Sequence, residues 1–137
     1  MIIEIYEDQK LIEISHLFSN IYSFLKIEFY NKPHDWQAAS SLKDLLDVNL
    51  SVGNVSRKKN HTGFMEFHFW QKTGFLESYF KNRFGLNVQI FRQHGDKWVQ
   101  TVGTDELTLE QQNEIGRNAS YELMHSNTMK FEHEKSI

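Results

Sequence analysis

The residues best placed for chemistry stand at alternating positions of predicted strands: Glu4, Lys26, Glu28, Glu66 and His68. Alternate side chains of a strand share one face, so these residues are expected on a single hydrophilic sheet surface. If the strand carrying Glu66 and His68 lies between those carrying Glu4 and Glu28, neighbours across the strands stand about 5 Å apart. At that range Glu28, Glu66 and His68 form a candidate acid–base set with displaced pKa values. Glu4, Glu66 and His68 form a candidate divalent-metal set. The commoner reason for charged residues at such positions is a face turned to solvent or to another subunit.

A second constellation is basic. Arg57, Lys58 and Lys59 precede Phe64, Phe67, Phe69 and Trp70, which invites comparison with single-strand RNA readers that stack bases on strand aromatics. The local order Gly63-Phe64-Met65-Glu66-Phe67-His68-Phe69 departs from that pattern, and Glu66 would repel phosphate. Phe67 and Phe69 also share the face of Met65, which is expected in the core. Nucleic acid is therefore an unfavoured partner, with Arg57, Lys58 and Lys59 as its candidate contacts. Gly103-Thr104-Asp105 precedes a helix but carries no phosphate-loop or dinucleotide fingerprint, so no cofactor is expected. The histidines, including His34, His61 and His68, show no recognised ligand spacing, and no nucleophile elbow occurs.

The elements that position these residues follow from periodicity. Ile2–Tyr6 reads as a short strand. Leu11, Ile14, Leu17, Phe18 and Ile21 mark one apolar helix face. A hairpin of Ile2–Tyr6 with Lys10–Ile14, giving a β-grasp-like start, is the alternative. Phe24–Tyr30 alternates cleanly, with Leu25, Ile27 and Phe29 inward. A short helix is expected within residues 41–47 and a long polar loop over 49–62. Phe64–Trp70 reads as a strand. Thr73 should cap a helix whose buried side carries Phe75, Leu76, Tyr79, Phe80 and Phe84, and Gly85 should end it in the left-handed conformation. Leu86–Arg92 and Lys97–Val102 should pair as a hairpin across His94-Gly95-Asp96. Thr108 and Gln111 match a capping box for a last helix, which Gly116 should end or bend.

The order strand–helix–strand, repeated, predicts right-handed crossovers and parallel neighbours. The expected architecture is a two-layer α+β sandwich on a ferredoxin-like plan, with an added edge strand and a C-terminal helix. Residues 1–118 should form one domain and 119–137 a frayed or partly disordered tail. The segments Gly85–Arg92, Lys97-Trp98 and Thr104–Asn113, together with Phe24–Phe29, resemble small bacterial α+β proteins of unassigned function. That resemblance implies a fold of this class and carries no activity.

The chain's 137 residues suit one domain, and 14% aromatics give it large rings to bury. A net charge of −3 lacks the basic footprint of a dedicated nucleic-acid binder. Absence of cysteine removes thiolate chemistry and disulfides, and no apolar run of membrane-spanning length occurs. Without a basic, apolar leader the expected location is the cytoplasm. The expected role is a non-enzymatic interaction module, working as a homodimer. The motive is strand edges that need cover and more aromatic surface, at Tyr30, Trp70, Phe91 and Trp98, than short helices can bury.

Overall fold

A computed structural model describes residues 1–35 and 38–135. It is a mixed α+β structure with two small antiparallel sheets. Strand β1 (Ile2–Ile5) pairs with β3 (Gly63–Glu66). Strand β2 (Leu25–Tyr30) pairs with β4 (Asn87–His94), which pairs in turn with β5 (Lys97–Gln100). Helix α1 (Leu11–Ile21) joins β1 to β2, α2 (Val52–Val55) lies in the long connection before β3, α3 (Thr73–Tyr79) precedes β4, and α4 (Leu109–Lys135) closes the chain. None of the helices searched among the described residues is long and apolar enough to cross a membrane.

The parallel pairing that a ferredoxin-like plan requires is absent from the described residues, and the reason lies at the outer edge of β2. In the β2–β4 ladder the carbonyls of Leu25, Ile27 and Phe29 point away from β4. Helix α1 lies there instead of β3, the strand expected beside β2. Ser19 Oγ donates to Leu25 O at 3.0 Å and Ser15 Oγ to Ile27 O at 2.9 Å, while the Leu46 amide donates to Phe29 O at 2.9 Å. With both edges of β2 occupied, β3 pairs with β1 alone among the described strands, antiparallel and in the register Ile3↔Met65. The β-grasp-like start does not form either, because Leu11–Ile21 is helical.

Both sheets nevertheless turn their apolar sides to one core. Ile3, Ile5 and Met65 from the first sheet meet Leu25, Ile27, Phe29, Val88 and Ile90 from the second, with Leu11, Ile14 and Phe18 of α1 among them. The rest of the predicted α1 stripe is not in the core: Leu17 and Ile21 are about two-fifths exposed. Strand β3 ends at Glu66, earlier than the alternation implies. A turn follows, in which the Gln71 amide donates to His68 O, so Phe67 is buried but Phe69 is exposed.

Residues 41–47 give only a 3-10 turn, Leu42–Asp44, with Leu42 facing solvent, because the segment runs beside β2 through a Tyr30↔Leu45 bridge. The polar stretch 49–62 contains α2, capped by the reciprocal Ser51–Asn54 pair and anchored by buried Val52. Thr73 is the first residue of α3 rather than its cap; its hydroxyl donates to Leu107 O at 2.8 Å. Leu76, Phe80 and Phe84 are buried but Phe75 is half exposed. Helix α3 continues into a π-helical turn, Phe80–Phe84. Gly85 closes it at φ 68°, its amide donating to the carbonyls of Lys81 and Phe80. The β4–β5 hairpin forms as predicted, with Gly95 at φ 66°.

Thr108 and Gln111 form the predicted capping box: the Thr108 amide donates to Gln111 Oε1 at 2.9 Å, and the Gln111 amide to Thr108 Oγ1 at 3.1 Å. Gly116 does not end α4, which runs on to Lys135; residues 136–137 of the expected tail lie outside the described residues. Its glycine serves close packing instead. A Cβ there would stand 2.8 Å from the Phe24 Cβ and 3.0 Å from the Gln93 carbonyl.

Candidate functional site

The predicted open-face residues divide between the two sheets. On β1–β3, Glu4 lies opposite Phe64 and Glu66 opposite Ile2, which makes the two carboxylates diagonal neighbours on the outer face. His68, beyond the strand, places Nε2 3.6 Å from Glu66 Oε1 and stacks on Trp70 with ring centroids 5.2 Å apart. Glu66 is largely open to solvent and His68 partly so, which screens such a pair. Glu28 sits in the other sheet, 3.1 Å from Lys26 Nζ and accepting from the Tyr30 hydroxyl at 3.4 Å. Lys26 also lies over the rings of Phe91 and Trp98. The structure therefore brings Glu66 to His68 but leaves Glu28 with its own partners. Among the described residues no group of three or more histidines or carboxylates is disposed to hold a metal ion.

Arg57, Lys58 and Lys59 are exposed, and the Lys58 ammonium bonds the Asn82 carbonyl. Of the aromatics that follow, Phe67 is in the core, while Phe64, Phe69 and Trp70 are exposed.

A different cluster is buried. Glu77 faces inward from α3 and is only 6% exposed. Strand β5 ends at Gln100, so the Ile90 amide of β4 lacks a strand partner; Glu77 Oε2 accepts from it at 3.0 Å and from Gln89 Nε2 at 3.1 Å. Asp105, 2% exposed, is fixed where its carbonyl accepts the Gly74 amide at 3.1 Å. His34 follows the proline that ends the β2 segment. Its Nδ1 donates to Asp35 O at 2.9 Å and its Nε2 stands 3.7 Å from Glu77 Oε1.

The electrostatics follow from burial and proximity. Burial in a dry site, then the neighbouring Glu77, pushes the Asp105 carboxyl up to about 6. Interaction with Glu77 outweighs desolvation at His34 and raises its imidazole to about 9, so it is cationic at neutral pH. Two buried carboxyls and an imidazolium thus sit together beside a cleft of about 190 Å³ lined by His34, Glu77, Ser78, Lys81, Asn87 and Val88. Such a group can store a proton or accept hydrogen bonds from a bound donor.

These residues come from separate stretches of chain, which is why spacing does not reveal them. One signal was present: Glu77 directly follows Leu76 and precedes Phe80 by three, inside the apolar arc of α3. An acid on a buried face needs donors around it.

The raised His34 pKa has a thermodynamic consequence. The folded state holds this proton more tightly than the unfolded chain. Its stabilisation is therefore complete below the ordinary value of 6.5 and is lost as pH rises through about 9. Urea midpoints should fall between these pH values, by on the order of 1–3 kcal/mol in stability. A His34→Gln variant should show a flatter profile over the same window. Asp105 acts with the same sign at lower pH: its contribution is present below 3.8 and lost as pH rises through about 6.

Compared with known proteins, the chain matches no protein-family model, no curated protein and no solved structure.

Proposed function

We propose that this chain is a protein-interaction module of the cytoplasm that assembles as a homodimer through its β1–β3 sheet. The observation that carries this reading is the uncovered outer face of that sheet. Phe64 is 69% exposed there and Ile2 62%, on adjacent strands. Large apolar side chains on an unpacked sheet face favour association. No third strand pairs with β3 among the described residues, so its outer edge is available for backbone hydrogen bonding. The edge of β2 is closed by α1 and residue 46, and Tyr30 and Phe91 are buried, which leaves the first sheet as the better surface. Residues 1–118 are the assembling unit and 119–137 an appendage to it.

Light scattering at micromolar concentration tests the proposal, with a dimer expected. Phe64→Lys should convert it to a monomer. Its charge would face Glu4 across the strands within one chain and repel its own copy across the interface. Because the side chain is exposed, stability should change by no more than about 0.5 kcal/mol. A monomeric parent protein, or a Phe64→Lys variant that stays dimeric, would overturn the assignment.

A further inference from the structure

We infer that the cations gathered round the π turn Phe80–Phe84 bind the phosphate backbone of a single-stranded nucleic acid, without reading its bases. The inference stands apart from the β1–β3 sheet face. Loop 56–62 wraps the end of that turn: Ser56 Oγ donates to Phe84 O at 2.7 Å, and the Lys58 ammonium bonds the Asn82 carbonyl. Arg83 reaches back to the same loop, its guanidinium donating to Asn60 O at 2.8 Å and to Thr62 O at 2.7 Å. Arg57, Lys58 and Lys59 are thereby brought to Lys81 and Arg83, which are distant in sequence. Among the described residues no carboxylate forms an ion pair with any of the five. Backbone carbonyls fix Lys58 and Arg83 but leave their charge uncompensated, and each keeps further N–H donors. On a chain of net charge −3 this is a local basic surface.

The form of the surface selects the ligand. Arg57, Lys58, Lys59 and Lys81 are exposed, so each contact with a single small anion is screened and worth little. A strand brings many phosphates at once and gains from the counterions it releases. It is also flexible enough to follow cations that bend round a helix end, which a stiff duplex is not. No large apolar side chain is exposed over residues 56–62 or 80–84, so nothing there enters a bilayer. Phe64, next along the chain, stands opposite Glu4 on a face it shares with Glu66, and those carboxylates oppose an anionic lipid surface. The exposed amides of Asn60 and Asn82 supply neutral donors for phosphate oxygens. Glu66 and buried Phe67, which spoil a base-stacking strand, take no part in this surface.

The test is fluorescence anisotropy of the full chain with two short labelled strands, an oligothymidylate and one of mixed sequence. Both should bind alike, with Kd on the order of 10 µM at about 50 mM salt. Affinity should weaken roughly 20- to 100-fold by about 200 mM salt, as for about three to five phosphate contacts. Arg57→Gln combined with Lys59→Gln removes two exposed cations that bond nothing else among the described residues, so the fold should be untouched. That variant should lose roughly tenfold or more in affinity and flatten the salt slope by about 1.4. Lys43→Gln combined with Lys97→Gln makes an equal charge change elsewhere and should leave affinity within about twofold. A duplex of the same sequence and phosphatidylserine vesicles should both bind more weakly than the strands. No binding of either strand, equal losses in the two double variants, a duplex bound as tightly as the strand, or vesicles bound in preference to it would each overturn the assignment.

Discussion

Phe67→Ala is expected to lower folding stability by about 3–5 kcal/mol. Phe67 is 1% exposed and stands where the first sheet meets α1. Its ring centroid lies 6.2 Å from that of Phe18 and 6.4 Å from that of Tyr22, which themselves are 5.4 Å apart. Truncation removes the member these rings share and opens a cavity that the sheet cannot collapse to fill. The backbone of Phe67 is tied to Met1 in both directions, at 2.9 and 3.0 Å. Domains of this size are stable by about 5–15 kcal/mol, so at least roughly a fifth of the total would be lost. Phe69→Ala, two residues on, should cost no more than about 0.5 kcal/mol because that ring is exposed. Paired urea denaturation curves check both values. Equal losses would mean that the strand continues past Glu66 and buries both rings.

The second large effect belongs to Glu77. Glu77→Ala should destabilise by about 2–4 kcal/mol, because it leaves the Ile90 amide a buried donor without an acceptor and takes one of the two acceptors of Gln89 Nε2. Glu77→Gln retains an acceptor and should cost about 1 kcal/mol. The alanine variant should also lose most of the decline in stability between pH 6.5 and 9, since Glu77 is the main group favouring the charged form of His34 and only the Asp35 carbonyl and Asp105 remain. Urea midpoints measured across pH for the three proteins separate these terms. If the alanine and glutamine variants behave alike, the orphaned Ile90 amide is not the cause.

Local geometry was legible in the chain, and strand partnership was not. The inward residues of β2, the left-handed stop at Gly85, the β4–β5 hairpin and the Thr108–Gln111 box each depend on a few neighbouring residues. Alternation shows which face of a strand is buried but not which strand lies beside it. Here that choice depends on Ser15 and Ser19, whose hydroxyls occupy the edge of β2 that β3 would need. Alternation also continued through Phe69 although the ladder stops at Glu66, because periodicity carries no record of where hydrogen bonds end. Of the candidate site, only Glu66 and His68 are brought together. Glu77, His34 and Asp105 needed the tertiary fold to meet, though an acid inside the apolar arc of α3 was a visible irregularity.

The wide turn at Phe80–Phe84 governs how the chain tolerates changes in length. A π turn holds an extra residue relative to the α-helical ladder around it. Loss of any one residue between positions 81 and 83 would remove that extra residue and let the segment rewind to ordinary pitch with Phe84 on nearly the same side of the axis. That ring, stacked 6.0 Å from Tyr79, would stay in the interior, and Gly85 would still reach its left-handed position beside Ser56 and Lys58. The wide turn is thus a place where the chain can lose one residue at less cost than in the α-helical turn before it.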